Sequence, residues 1–153
     1  MTNNNTYNGH ELPPYQAPAY GYTSTIIHRG VAYVSGHVPK TGAHDLNPGK
    51  VGRDVSLEEA QEAARLAVMN GLSTLNEAIG GLDNVEQFLK ITVFVASAAN
   101  FNQQPKVADA ATNLLHDIFG NRGHHARSAV GVAELPRNSC VEIELTVAVK
   151  DYA

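Results

Sequence analysis

Residues 56–97 read SLEEAQEAARLAVMNGLSTLNEAIGGLDNVEQFLKITVFVAS, and they decide the fold because a helix and a strand follow each other with clear punctuation. Ser56-Leu57-Glu58-Glu59 is a capping box: the Ser56 hydroxyl can accept from the Glu59 amide while the Glu59 carboxylate reaches back to the Ser56 amide. From there Leu57, Ala60, Ala64, Val68, Leu72, Leu75 and Ile79 recur at three- and four-residue steps. That spacing predicts an amphipathic helix over residues 57–79, stopped by Gly80-Gly81, with one apolar face for a sheet. Residues 89–97 are apolar on both alternating faces, which suits a strand central in that sheet. Working outward, Pro105 stands where a first helical residue belongs, and Val107, Ala110, Ala111, Leu114, Leu115 and Ile118 carry a second stripe closed by Gly120. Residues 126–133 and 141–149 read as two further strands. Residues 22–38 read as a hairpin turning at Arg29-Gly30. The order β-β-α-β-α-β-β is that of a layered α+β unit. Residues 39–55, dense in Gly, Pro, Asn and Asp, read as a long surface loop. Residues 1–20, rich in Asn, Pro and Tyr without period, read as an extended arm along the body or a partner subunit, leaving 21–153 as one domain.

The 153 residues, 43% hydrophobic and 17% charged, are one globular domain's worth. Fifteen acidic against eleven basic residues give a net charge of −4, which leaves no surplus to neutralise a phosphate backbone, so nucleic acid is not an expected partner. The single Cys140 cannot form an internal disulfide and has no second thiol for a metal cluster. The N-terminus lacks the basic and apolar regions of a secretory signal, and no stretch approaches 18 apolar residues; a cytoplasmic protein without membrane association is expected. The seven histidines show no H-x-x-x-H pair and no neighbouring Cys, so a metal is not expected. Phosphate-binding glycine loops and a G-x-S-x-G elbow are absent from the sequence.

Alternation in the last strand puts Val141, Ile143, Leu145, Val147 and Val149 on one side and Glu142, Glu144, Thr146 and Ala148 on the other. The residues alone leave open whether that second face is a solvated exterior or lines a cavity in which a carboxylate positions water or a proton. Arg127 opens a strand of small residues, where its guanidinium is either a surface charge or a rigid fork for a substrate carboxylate. His124-His125 can assist binding or protonation there, although adjacent side chains point apart. Cys140, at a loop-strand junction, reads as a small apolar filler.

The segments YVSGHVP (33–39), VFV (93–95) and above all ARSAVGVAELP (126–136) followed by VEIE (141–144) closely resemble the Rid, or YjgF-like, imine deaminase family over about residues 20–150. The resemblance implies a chorismate-mutase-like α+β fold, two helices on one mixed sheet, assembled as a homotrimer with sites in the clefts between subunits. Carried over by position, it makes Arg127 the arginine that binds the substrate carboxylate, Glu142 the glutamate associated with the hydrolytic water, and Tyr22 the tyrosine of the cleft wall. It sets Ser35 and Gly36 on the turn near the ligand, followed by His37. His37 departs from the glutamine common at its place, and Ala129 from a cysteine often found two residues after the arginine. The activity implied is cofactor-free hydrolytic deamination of a small 2-imino or enamine acid to a 2-oxo acid and ammonia. A non-catalytic binder of carboxylate metabolites, or a specialised pathway enzyme using the same cleft, is the alternative. A nuclease activity, sometimes attributed to the family, fits the acidic charge poorly.

Overall fold

The computed structural model of the protein describes residues 5–150. In chain order the strands are β1 (Thr6–Tyr7), β2 (His10–Glu11), β3 (Thr25–His28), β4 (Val31–His37), β5 (Lys40–Thr41) and β6 (His44–Asp45), followed by β7 (Val85–Ala96), β8 (Ala126–Val132) and β9 (Val141–Val149); the helices are α1 (Leu57–Ile79) and α2 (Gln104–Phe119). The main sheet has five strands in the order β3-β4-β9-β7-β8. It is mixed: β7 and β8 run parallel, joined by the α2 crossover, and the remaining pairs are antiparallel. Both helices cover one face, which makes a two-layer α+β domain as expected.

Local chemistry fixes the long helix. Ser56 accepts from the Glu59 amide at 3.1 Å and the Glu59 carboxylate accepts from the Ser56 amide at 3.0 Å, while Gly80 ends α1 in the left-handed conformation (φ 74°). Its stripe from Ala60 to Ile79 is buried against α2, against the inward residues of β9, from Val141 to Val149, and against Ala32 and Val34 of β4, while α2 packs on β7 and β8. The strand β7 begins four residues before the expected 89. Register shifts between Val85 and Gln87 and between Phe88 and Lys90 break the alternation there, so its first residues do not look like a strand in sequence. Arg29 and Gly30, both at positive φ, make the two-residue turn of the β3–β4 hairpin.

Two segments are more ordered than a surface loop and an extended arm. Within 39–55, β5 and β6 form a small hairpin, and Val51 is fully buried with backbone hydrogen bonds to Ala96 and Ala98 that stitch it to the end of β7. The arm lies on its own chain through residues 5–13: β1 and β2 pair, the Asn8 side chain donates to the Ile118 carbonyl at 2.8 Å, and the Ser73 hydroxyl donates to the Pro13 carbonyl at 2.6 Å. Residues 1–4 of that arm lie outside the described residues.

Among the described residues the outer face of the sheet carries no helix. Ile26, Tyr33 and Val130 point to it and are 54%, 54% and 43% exposed, beside Phe94, Glu142 and Glu144. No helix among the described residues is long and apolar enough to cross a membrane.

Candidate functional site

The strand β4 does not pair evenly with β9. Val34 stands opposite Leu145 and His37 opposite Ile143, so three steps on β4 match two on β9, and the extra residue falls at Ser35-Gly36. A bulge re-aims the residues that follow it. Strict alternation from inward-facing Val34 would send His37 outward; the bulge turns it toward α1 instead. There its Nε2 lies 2.7 Å from the Thr74 hydroxyl and its Nδ1 2.7 Å from the Ser35 carbonyl. A carbonyl only accepts, so Nδ1 carries the hydrogen and Nε2 accepts from Thr74. Burial, outweighing the Ser35 bond, holds the ring below its ordinary pKa of 6.5, and Lys40 adds to the shift. Asn70 of α1 donates to the carbonyls of Val38 and Lys40, both at 2.9 Å, and so ties the strand end to the helix.

A cavity of about 470 Å³ opens beside this bulge, lined by Tyr22, Ser35, Gly36, His37 and Glu142 and by Pro14 and residues 16–20 of the arm. Glu142 reaches it from the middle of the outer sheet face. Its carboxylate lies directly against Gly36, where a Cβ would stand 2.8 Å from Cδ and 3.0 Å from Cγ. Nothing larger than glycine leaves the carboxylate in that place. Partial burial raises the pKa of Glu142 above its ordinary 4.5, and neighbouring Glu144 raises it further. No cation pairs with it among the described residues. Five of the six residues that the family resemblance singles out in the sequence therefore meet in one cavity.

Arg127 is not among them. It is opposite Ile91 on β7, an inward position, whereas Glu142 is opposite Phe94 on the outer face. Two strand spacings and three residue steps put their Cα atoms roughly 14 Å apart, with side chains on opposite faces. The Arg127 guanidinium lies against α2: Nη1 donates to Asp109 at 2.9 Å and to the Thr112 hydroxyl at 3.1 Å, and Nη2 reaches the Pro105 carbonyl only at 3.4 Å. Among the described residues Nε donates to nothing, so the Nε–Nη2 edge is nearly free. That is the edge by which Arg53 holds Asp54 and Arg137 holds Asp45, each with two hydrogen bonds.

Sequence reasoning passes over Thr74, Asn70, Asp109 and Thr112, because a polar residue in a helix shows its partner only once the sheet is in place. Gly36 within a strand pattern is the one sequence signal of the bulge. His125 meets Thr112 of α2 on the inward side, whereas His124 lies against His116 with ring centroids 4.6 Å apart and the rings tilted by 47°. Cys140 is buried, and desolvation pushes its thiol up to about 11, so it is packing and not a nucleophile at neutral pH. Among the described residues no group of three or more His, Cys, Asp or Glu is placed to hold a metal ion.

A family model described as Endoribonuclease L-PSP matches residues 14–149. Protein TCP17 of Trypanosoma cruzi is 38% identical over 140 residues, which span 91% of this chain and 88% of that protein. The 2-iminobutanoate/2-iminopropanoate deaminase of Dermatophagoides farinae is 32% identical over 134 residues, 87% of this chain and 89% of the other. Among solved structures, Atu1372 of Agrobacterium tumefaciens, a protein described as of unknown function, is similar with a TM-score of 0.87 at 37% identity, covering 93% of this chain and 87% of that one.

Proposed function

Because the chain belongs to this Endoribonuclease L-PSP family, the Rid or YjgF-like family, we propose that it hydrolyses small 2-imino or enamine acids to the 2-oxo acid and ammonia. The observation that carries the reading is Glu142: a half-buried carboxylate, free of any cation among the described residues and raised in pKa, facing a cavity of small-molecule size. Glu142 accepts a proton from water as its oxygen adds to the carbon of the protonated imine, which gives the neutral carbinolamine. Glu142 returns that proton to the carbinolamine nitrogen and then takes the hydroxyl proton as the C–N bond breaks toward nitrogen, so that ammonia leaves and the carbonyl forms. A proton acceptor shifted toward neutrality suits each transfer. Similarity to the mite deaminase, whose name states its substrates, supports 2-iminobutanoate and 2-iminopropanoate as the size class.

The carboxylate of the substrate goes to the free edge of Arg127. Within one chain that edge and Glu142 are too far apart and on opposite faces, so the proposal has a second part: the site is shared. Arg127 of one subunit closes the cavity of its neighbour, and the uncovered outer face of the sheet, with exposed Ile26, Tyr33 and Val130, is what association covers. A closed homotrimer, with a mass about three times 16.4 kDa in light scattering, satisfies both requirements.

The test generates the imino acid in place, with an amino-acid oxidase or a dehydratase, and follows its loss with and without the protein. Acceleration that disappears in Glu142→Ala is expected. No acceleration with any small precursor, together with tight binding of 2-oxobutanoate, would replace the enzyme with a metabolite sensor using the same cavity.

A further inference from the structure

Resting on the reading of Arg127 as the carboxylate anchor, we propose that Thr112 and His125 are positioning residues that hold Nη1 of Arg127, leave its Nε–Nη2 edge to the substrate, and make that hold sensitive to protonation of the His125 ring. The chain of contacts has only one consistent direction. His125 Nδ1 lies 2.6 Å from the Gly123 carbonyl, which can only accept, so Nδ1 carries the hydrogen. Nε2 of the neutral ring is then an acceptor, and the Thr112 hydroxyl at 3.0 Å must donate to it. With its hydrogen so committed, the Thr112 oxygen presents its lone pairs to Arg127 Nη1 at 3.1 Å. Asp109 takes the other Nη1 hydrogen at 2.9 Å. Both hydrogens of Nη1 are therefore spent on α2, and the rotation of the guanidinium about Cδ–Nε is fixed before a ligand arrives.

A proton on Nε2 breaks this order. Nε2 becomes a donor, the Thr112 hydroxyl loses its acceptor, and one oxygen must face two cations. Burial opposes that proton most; the Gly123 carbonyl favours it, and His116 on α2, with ring centroids 5.8 Å apart, Arg127 on β8 and neighbouring His124 oppose it, with Asp109 beyond them on Nη1 of Arg127. The balance holds the ring below its ordinary pKa of 6.5. On acidification the histidine competes with the arginine for Thr112, and carboxylate affinity falls while the fold persists.

The readout is the Kd of 2-oxobutanoate by titration calorimetry between about pH 5 and 8, with KM and kcat for the imine measured alongside at neutral pH. Thr112→Val is expected to weaken binding and raise KM about tenfold with kcat little changed, and Thr112→Ser to restore both. His125→Gln keeps an acceptor for the Thr112 hydroxyl but cannot titrate; whatever its affinity at neutral pH, it is expected to lose the decline in acid. Unchanged affinity in Thr112→Val, or an acid decline that survives in His125→Gln, overturns the inference. Arg127→Ala separates the two levels. If it retains full affinity, the anchor itself is wrongly placed. If it abolishes binding while Thr112→Val and His125→Gln are silent, only the positioning role falls.

Discussion

Replacing Gly36 by alanine adds a single methyl group at the point where β4 bulges toward Glu142. The new Cβ would stand 2.8 Å from Cδ and 3.0 Å from Cγ of Glu142, against an ordinary carbon–carbon contact of about 3.5–4.0 Å, so the carboxyl must withdraw by about 1 Å. Gly36 is not in the left-handed region, so alanine there carries no backbone strain, and the lower entropy of the unfolded chain works slightly in its favour. The methyl group therefore acts on the position of the carboxylate more than on the fold. A displacement of that size at a reacting group costs on the order of a hundredfold in rate, about 2.7 kcal/mol of transition-state stabilisation. The assay is kcat/KM for an imino acid generated in place, beside a thermal melt. The expected result is a hundredfold loss with a melting temperature within a few degrees of the parent. In a Glu142→Ala background the same substitution should add almost nothing, because the group it displaces is gone. A folded Gly36→Ala protein with undiminished kcat/KM would refute the reasoning, since the carboxylate would then not need to be where the structure puts it.

Arg127→Lys keeps the charge and loses the planar fork, so 2-oxobutanoate affinity should fall by about 1.5–3 kcal/mol with an unchanged circular dichroism spectrum. Glu142→Gln removes turnover yet should not lower the melting temperature at neutral pH, because a carboxylate with a raised pKa is stabilised by losing its charge; a marked loss of stability would make Glu142 structural. His37 and His125 are both held below 6.5, so the folded state binds fewer protons than the unfolded chain. Their contribution is complete above pH 6.5 and declines as the pH drops below it, which urea melts in the Glu142→Gln background should show as a falling midpoint, since Glu142 contributes with the opposite sign.

Where single elements carry their own signals, the sequence is readable. The Ser56 box, the stripe from Leu57 to Ile79 and the alternation from Val141 to Val149 each specify an element without help from the rest of the chain. The first residues of β7 do not, because two register shifts erase the period. The site divides in the same way. Tyr22, Ser35, Gly36, His37 and Glu142 are local to β3, β4, β9 and the segment before them, three strands that neighbour one another in the sheet. Arg127 stands only fifteen residues before Glu142, and nothing in the two strand patterns says which strands neighbour them in the sheet. The parallel crossover through α2 inserts β7 between them and turns their side chains to opposite faces, a tertiary outcome that no local period records. The inward turn of His37 is similar: it depends on one extra residue in β4 that is visible only against its partner strand.

That crossover also has a genetic consequence. With the arginine edge and the glutamate cavity in separate parts of the chain, a site built across an interface can be repaired by mixing two broken proteins. Chains carrying Arg127→Ala and chains carrying Glu142→Ala, each inactive alone, would form three-fold rings in which about one quarter of the interfaces join an intact arginine to an intact glutamate. Two damaged alleles would then complement each other in one cell, and a dominant-negative effect would be limited to the one interface to which each damaged chain contributes its altered residue. Chains that carried the whole site within themselves would show no such recovery at any mixing ratio.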